Sequence, residues 1–403
     1  MKRDVKAIQL SLFTNEERRG EPTVPESVTQ DTPLAALNLN WRERDLPEKE
    51  RTKHVHRLHP YLGKFIPQLV EIFLRKYFRP GDTVYDPFCG SGTALVEANA
   101  LNIHSIGCDI SAFNCLLAKV KTQKYDPQLV RKEVLDILAK TREKTQRTLL
   151  STPDEEFQDT DNPYLLSWFA PQARRELLTY CSLIPDYHYQ DLLKVILSRA
   201  ARSARLTTHF DLDFPKEPQL EPYYCYKHSR ICQPVQEAFK FLERYSWDTI
   251  HRIKEYSRIR TEARVIVLCD DARTVELPER INGVITSPPY VGLIDYHEQH
   301  RYAYEFLSLP DRRDLEIGPA VKGSSQGARE EYKRDIAEAF RHTAQYMDSG
   351  GRIIVVIHDK DDLYPQIADM CGFEVEGVLK SHVDRRTGRR ANEFYESIFV
   401  WKN

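Results

Sequence analysis

The stretch that most restricts how this chain can fold is Asp86-Pro87-Phe88-Cys89-Gly90-Ser91-Gly92-Thr93. Before it, 82–85 has the short apolar character of a buried strand. After it, 94–102 reads as a helix, and 104–108 as a second strand ending at Asp109. Strand, turn, helix and strand make a βαβ unit, and strands joined this way lie parallel in a sheet covered by helices. Two glycines where strand gives way to helix let the backbone approach a ligand without Cβ atoms in the way. Further strand-like runs at 265–268, 283–286, 352–357, 373–378 and 397–401 extend the sheet. The last two have no helix between them and predict an antiparallel hairpin at its end. The fold class expected is α/β, a mostly parallel sheet with a mainly helical insertion.

Residues 1–51 are polar and charged, have no sustained period, and read as a flexible arm interrupted by one apolar island, Gln9-Leu10-Ser11-Leu12-Phe13. Residues 52–124 and 265–403 carry the α/β pattern and form the expected catalytic domain. Residues 125–264, with helical periodicity and several tyrosines, form an inserted module that is the candidate for target recognition. Lys plus Arg total 58 against 60 Asp plus Glu, and 41% of residues are hydrophobic, which excludes a wholly disordered chain and a uniformly basic nucleic-acid coat. Any acidic partner must therefore meet a local patch. The eight cysteines include no Cys-x-x-Cys. They are read as reduced thiols, with Cys225 and Cys232 as packing residues rather than zinc ligands, and no metal is expected. No apolar run approaches the ~20 residues of a membrane span, and the charged start is not followed by a secretory stretch, so a cytoplasmic, unanchored protein is expected.

The turn lacks the third glycine of a dinucleotide fingerprint, and no Gly-Lys-Ser/Thr follows it, so neither a pyrophosphate nor ATP is its natural guest. Asp109, 17 residues beyond Gly92, stands where an acidic side chain accepts hydrogen bonds from ribose hydroxyls. The ligand read from these residues is adenosine-like with a charged, non-phosphate tail. Thr286-Ser287-Pro288-Pro289-Tyr290 follows another strand. Its prolines stiffen the backbone and leave the Ser287 and Pro288 carbonyls free to meet an external N–H group, with an aromatic beside them to stack on a planar base.

Together, Asp-Pro-Phe-x-Gly-Ser-Gly-Thr and Thr-Ser-Pro-Pro-Tyr resemble the S-adenosylmethionine-dependent DNA amino-methyltransferases. The resemblance covers the glycine turn, Asp109, roughly 265 to the C-terminus, and His59-Pro60-Tyr61-x-x-Lys64-Phe65. It leaves out the arm and the insertion. It implies a Rossmann-like methyltransferase fold with S-adenosylmethionine as cofactor. Asp86, Pro87, Phe88, Gly90 and Gly92 would wrap the methionine moiety, Asp109 and Ile110 the ribose, and Asp271 would face the adenine, with Asp270 as the alternative one position away. Tyr61, Lys64 and Phe65 complete the cofactor set. Ser287, Pro288, Pro289 and Tyr290 would be catalytic. In that family Ser-Pro-Pro-Tyr mostly accompanies N4-methylcytosine, while Asn- or Asp-Pro-Pro-Tyr accompanies N6-methyladenine. Here the cofactor motif precedes the catalytic one with the insertion between them, unlike the permuted order common among cytosine-N4 enzymes.

The activity expected is therefore methylation of cytosine N4 in double-stranded DNA as a prokaryotic modification enzyme, with or without a cognate restriction endonuclease. Adenine-N6 methylation, guanine-N2 methylation of RNA, and non-catalytic nucleic-acid binding are the alternatives. Residues 194–264 hold 14 Lys or Arg against 9 Asp or Glu. Arg199, Arg202 and Arg205 share a helical face there and are read as a phosphate-contacting stripe. Arg385, Arg386, Arg389 and Arg390, between the last two strands, form a second candidate DNA contact. The polar run Asp295-Tyr296-His297-Glu298-Gln299-His300-Arg301 is read as supporting the site or facing DNA. Gln9-Leu10-Ser11-Leu12-Phe13 resembles the short peptide by which bacterial replication and repair proteins dock on the sliding clamp.

Overall fold

The computed structural model describes residues 20–63, 65–150, 159–212, 215–383 and 394–403. Its strands are β1 (Thr83–Asp86), β2 (His104–Asp109), β3 (Tyr223–Cys225), β4 (Arg230–Cys232), β5 (Val265–Cys269), β6 (Ile281–Thr286), β7 (Met347–Ile357), β8 (Glu374–Val383) and β9 (Phe394–Lys402). Seven of them form one sheet in the order β5-β2-β1-β6-β7-β9-β8. The pairings β5–β2, β2–β1, β1–β6 and β6–β7 are parallel. β9 pairs antiparallel with β8, the hairpin the sequence predicts, and antiparallel with β7 as well. β1 is short and buried along its length because helices cover both faces of the sheet.

On one face, helices Pro67–Tyr77 and Thr93–Ala100 bury Leu69, Phe73, Ala94 and Ala98 against Val84, Ile285 and Ile354. Val28, Leu37, Leu39, Trp41 and Leu46 belong to the same core. The flexible arm expected over 1–51 is thus, over 20–51, a packed strap. Ser381 donates to the Leu39 carbonyl at 2.8 Å, and the His382 N–H donates to Asn40 at 2.9 Å, so the strap also lies along β8. Its apolar residues have no period because they sit in turns and short 3-10 segments instead of a helix or strand. On the other face, helices Gln326–Ala344 and Leu363–Cys371 close over Tyr85, Val284 and Trp401.

Helices Pro127–Leu150, Pro163–Trp168, Pro171–Leu183, Gln190–Ala204 and Phe239–Tyr256 make up the insertion. They share one apolar core with Phe113 and Leu117 of helix Ala112–Thr122 and with Tyr302 and Phe306 of helix Arg301–Leu307. The insertion therefore rests on the element after β2 and on the element after the Ser287 segment. No helix among the described residues is long and apolar enough to cross a membrane.

Candidate active site

The two motifs, 200 residues apart in the chain, meet in the sheet. β1 and β6 are parallel neighbours, with Val84 opposite Gly283 and Tyr85 opposite Val284, so both strands deliver their C-terminal ends to one place. There the Thr286 hydroxyl donates to Asp86 Oδ1 at 2.6 Å, in full burial, and the Phe88 N–H reaches the same oxygen at 3.2 Å. Asp86 Oδ2 is buried without a hydrogen-bond partner. Burial pushes the Asp86 carboxyl up to about 7 despite these donors.

Beyond Asp86 the chain turns through Gly90 at φ +49° and Gly92 at φ +78°, both in the left-handed region that favours glycine. A Cβ on Gly90 would lie 2.8 Å from the Tyr61 hydroxyl, and one on Gly92 would lie 3.0 Å from the Ala118 backbone. Asp109 fixes this turn from the neighbouring strand. Its carboxylate accepts from the Gly90 N–H (2.9 Å), the Ser111 N–H (2.9 Å) and the Asn114 amide (3.0 Å). Burial still holds it up at about 6. Ser111 caps the following helix, and its hydroxyl lies 2.8 Å from that of Tyr304.

These elements enclose a cavity of about 800 Å³ including its mouth, a size suited to a ligand of nucleoside dimensions or larger. Tyr61, Phe65, Pro87, Phe88, Gly90, Asp109, Ile110 and Asp271 line it, together with Ser287 and Pro289. Asp86, Gly92 and Pro288 adjoin these lining residues in the chain, while Lys64 lies outside the described residues. Asp271, not Asp270, faces the cavity, its carboxylate held by Arg273 at 2.6 Å. Burial raises that carboxyl's affinity for a proton, but the guanidinium more than offsets it.

The Pro289 carbonyl accepts from the Tyr332 hydroxyl at 2.8 Å, and Tyr332 in turn meets the Tyr364 hydroxyl at 2.6 Å. Tyr290 lines a second hollow with His358 and Asp359. Its hydroxyl is 3.3 Å from Glu396.

Several wall residues escaped the sequence reading: Ser91, Thr93, Ser111, Asn114, and Leu315 to Ile317. Ser111 and Asn114 carried a signal, a cap with a polar residue three positions on. Glu316 carried none, because it lies on the wall through an irregular segment far along the chain, where it is hydrogen-bonded to buried His297. In the polar run after Asp295, Tyr296 stacks on Tyr61 (5.8 Å between rings), His297 and His300 are buried, and Asp295 caps its helix. The run therefore backs the cavity wall.

The arginine stripe is corrected. Arg199 and Arg205 are only 9% and 2% exposed. Arg199 pairs with Asp248 at 2.6 Å and lies over the Tyr245 ring. Arg205 donates to the Leu212 carbonyl and lies over Tyr302. Arg202 is half-buried. Two of the three therefore serve the packing of the module instead of a phosphate backbone. Arg385, Arg386, Arg389 and Arg390, and the segment Gln9-Leu10-Ser11-Leu12-Phe13, lie outside the described residues.

Residues 14–120 match the DNA methylase family. The sequence is 42% identical to the type II methyltransferase M.MjaII of Methanocaldococcus jannaschii, over 89% of this chain and 82% of that protein. It is 25% identical to the type II methyltransferase M.MvaI of Kocuria varians, over 68% of this chain and 60% of that protein. Among solved structures, the rRNA methyltransferase aviRa from Streptomyces viridochromogenes aligns over 90% of this chain and 96% of its own, at 14% identity and a TM-score of 0.35.

Proposed function

Starting from a chain that belongs to the S-adenosylmethionine-dependent DNA amino-methyltransferases, the family of the type II enzymes, we propose that it methylates the exocyclic N4 amine of cytosine in double-stranded DNA. The observation that carries this reading is the buried Thr286–Asp86 hydrogen bond. It holds the start of Ser287-Pro288-Pro289 against the turn that builds the cavity. A methyl donor and an amine acceptor placed at one strand end need only be oriented to react, and orientation supplies a large share of such a barrier.

The residues present fit S-adenosylmethionine. The Gly90 cradle would be closed by any Cβ, and Asp86 offers a buried, unpartnered oxygen to a cationic group. Asp109, with three of roughly four acceptor positions already used, has one left for a ribose hydroxyl. Ile110 and Ile317 supply apolar wall for a base, and Asp271, steadied by Arg273, supplies the polar edge. When bound, the cofactor contributes an electrophilic methyl group on a sulfonium.

The target amine has its lone pair delocalised into the ring. The Ser287 hydroxyl and the Pro288 carbonyl would accept its two N–H groups and draw the nitrogen toward tetrahedral geometry, aiming the lone pair at the cavity mouth. Tyr332 occupies the Pro289 carbonyl and so keeps the proline turn in place. No strong base is required, because the nitrogen sheds its proton after it has become cationic. A base swung out of the duplex would rest on Tyr290 beside the second hollow. Ser287 at the head of the motif is the support for cytosine over adenine.

The test is transfer of labelled methyl from S-adenosylmethionine to unmethylated bacterial DNA, followed by nucleoside mass spectrometry, with Pro289→Ala as control. N4-methylcytosine is expected. N6-methyladenine would keep the enzyme class and remove the choice of base, whereas label on tRNA alone would remove DNA as the substrate.

A further inference from the structure

Between 208 and 233 the insertion loops out of its helical core. Among the described residues of this stretch only Cys225 and Cys232 are buried. Tyr224, Tyr226 and Ile231, which would form a core if one existed, are more than half exposed. The stretch nevertheless contains an ordered hairpin, β3 and β4, of three residues per strand, with Tyr223 opposite Cys232 and Cys225 opposite Arg230. A two-stranded hairpin of this size is marginal without help, and apolar burial does not provide it here.

Help of another kind is visible. The hairpin sets Cys225 and Cys232 side by side, its turn folds His228 back between them, and His209 arrives from the chain leading out of helix Gln190–Ala204. His228 Nδ1 lies 3.6 Å from Cys225 Sγ and 3.5 Å from Cys232 Sγ, and His209 Nδ1 lies 3.6 Å from Cys225 Sγ. With zinc–sulfur and zinc–nitrogen bonds near 2.3 and 2.05 Å, the sulfur-to-nitrogen edge of a tetrahedral site is about 3.6 Å. Three edges of that tetrahedron are therefore already set, and all four ligand atoms fall within 4.8 Å of one another. The widest edge closes by about 1 Å on binding. The Tyr223 hydroxyl accepts from the His209 N–H at 3.1 Å, which leaves its own proton for His209 Nδ1 at 2.8 Å. In the metal-free chain that hydrogen bond occupies the Nδ1 lone pair of His209, and a metal ion would take its place there.

We propose that His209, Cys225, His228 and Cys232 bind one zinc ion that staples the 208–233 loop to the insertion. Two thiolates and two imidazoles suit zinc among the common divalent ions, and four protein ligands leave no open position, so the ion is structural. Each thiol gives up its proton to solvent on binding. The proposal departs from the reading of Cys225 and Cys232 as packing residues. Cys225-x-x-His228-x-x-x-Cys232 is a local ligand pattern, but it pairs cysteine with histidine, and the fourth ligand stands 16 residues upstream.

The test uses the full chain, purified without immobilised metal, and elemental analysis. About one zinc per chain is expected, and none in the Cys225→Ser, Cys232→Ser double variant. Removing zinc and titrating Co²⁺ into the wild-type chain should give the visible absorption of a tetrahedral site with thiolate charge-transfer bands. S-adenosylmethionine binding by the double variant, whose substitutions lie outside the cofactor cavity, reports whether it is folded. A wild-type chain that holds no zinc and takes up no Co²⁺ overturns the proposal, and so does zinc retained by the double variant. If the double variant does not fold, the wild-type cobalt spectrum decides: an octahedral spectrum without thiolate bands overturns the site.

Discussion

The cofactor cavity and the 208–233 loop are held by opposite means. The cavity grows from the ends of buried parallel strands, and its polar groups are bound by other buried groups: Asp86 by Thr286, Asp109 by Gly90, Ser111 and Asn114. Among its described residues the loop buries only two thiols, facing two imidazoles. A sheet can position a site by its own packing, whereas a short excursion from a helical module needs a bond of another kind to hold one conformation. The difference teaches that the two sites should fail independently.

The sharpest break on the cavity side is Asp109→Ala, which removes the common acceptor of three donors. At roughly 1.5–3 kcal/mol per hydrogen bond to a charged group, the Kd for S-adenosylmethionine should rise at least about 100-fold in calorimetry. A rise below about tenfold would mean that the turn is held by something other than this carboxylate. On the loop side, the Cys225→Ser, Cys232→Ser double variant should speed amide exchange across 208–233 by about 100-fold while changing cofactor Kd by less than about twofold. A comparable loss in both regions would end the contrast.

The pH response sharpens it further. Asp86 titrates at about 7 in the folded chain against 3.8 for an ordinary aspartate. The folded state therefore holds the extra proton between those values, and its stability falls as pH rises from about 4 to about 7 and then levels off. Cofactor binding should run the other way. If only the ionised carboxylate receives the cationic group, Kd weakens by about tenfold for each pH unit below 7, and Asp86→Asn flattens both profiles. Urea unfolding and calorimetry at several pH values check the two signs. The smallest effect is expected from Tyr332→Phe, which frees the Pro289 carbonyl. A loss of ~1 kcal/mol, a few-fold in kcat with unchanged cofactor Kd, would place Tyr332 behind the proline turn. A changed cofactor Kd would place it on the cavity instead.

How much was legible in the sequence follows the same division. β1, the glycine turn, β2 and Asp109 were readable because each is specified by residues close in the chain, and the turn's geometry can be met only by glycine. The packing of 20–51 against β8 was not readable, since irregular backbone carries no period. The spacing of Arg199, Arg202 and Arg205 could not say what each side chain meets. The answer came from Asp248, Tyr245 and Tyr302 on other helices.

By itself the sequence determined the class of fold, the cradle at Gly90 and Gly92, and the Ser287-Pro288-Pro289 turn, because strand period, positive φ and proline stiffness are properties of neighbouring residues. Only the tertiary structure decided that Thr286 reaches Asp86, that Glu316 lines the cavity beside buried His297, that Arg199 and Arg205 are interior, and that His209 lies beside Cys225, His228 and Cys232. Each of these is a contact between segments far apart in sequence. Which distant segments meet depends on how apolar faces are buried against one another, a property of the whole packed chain.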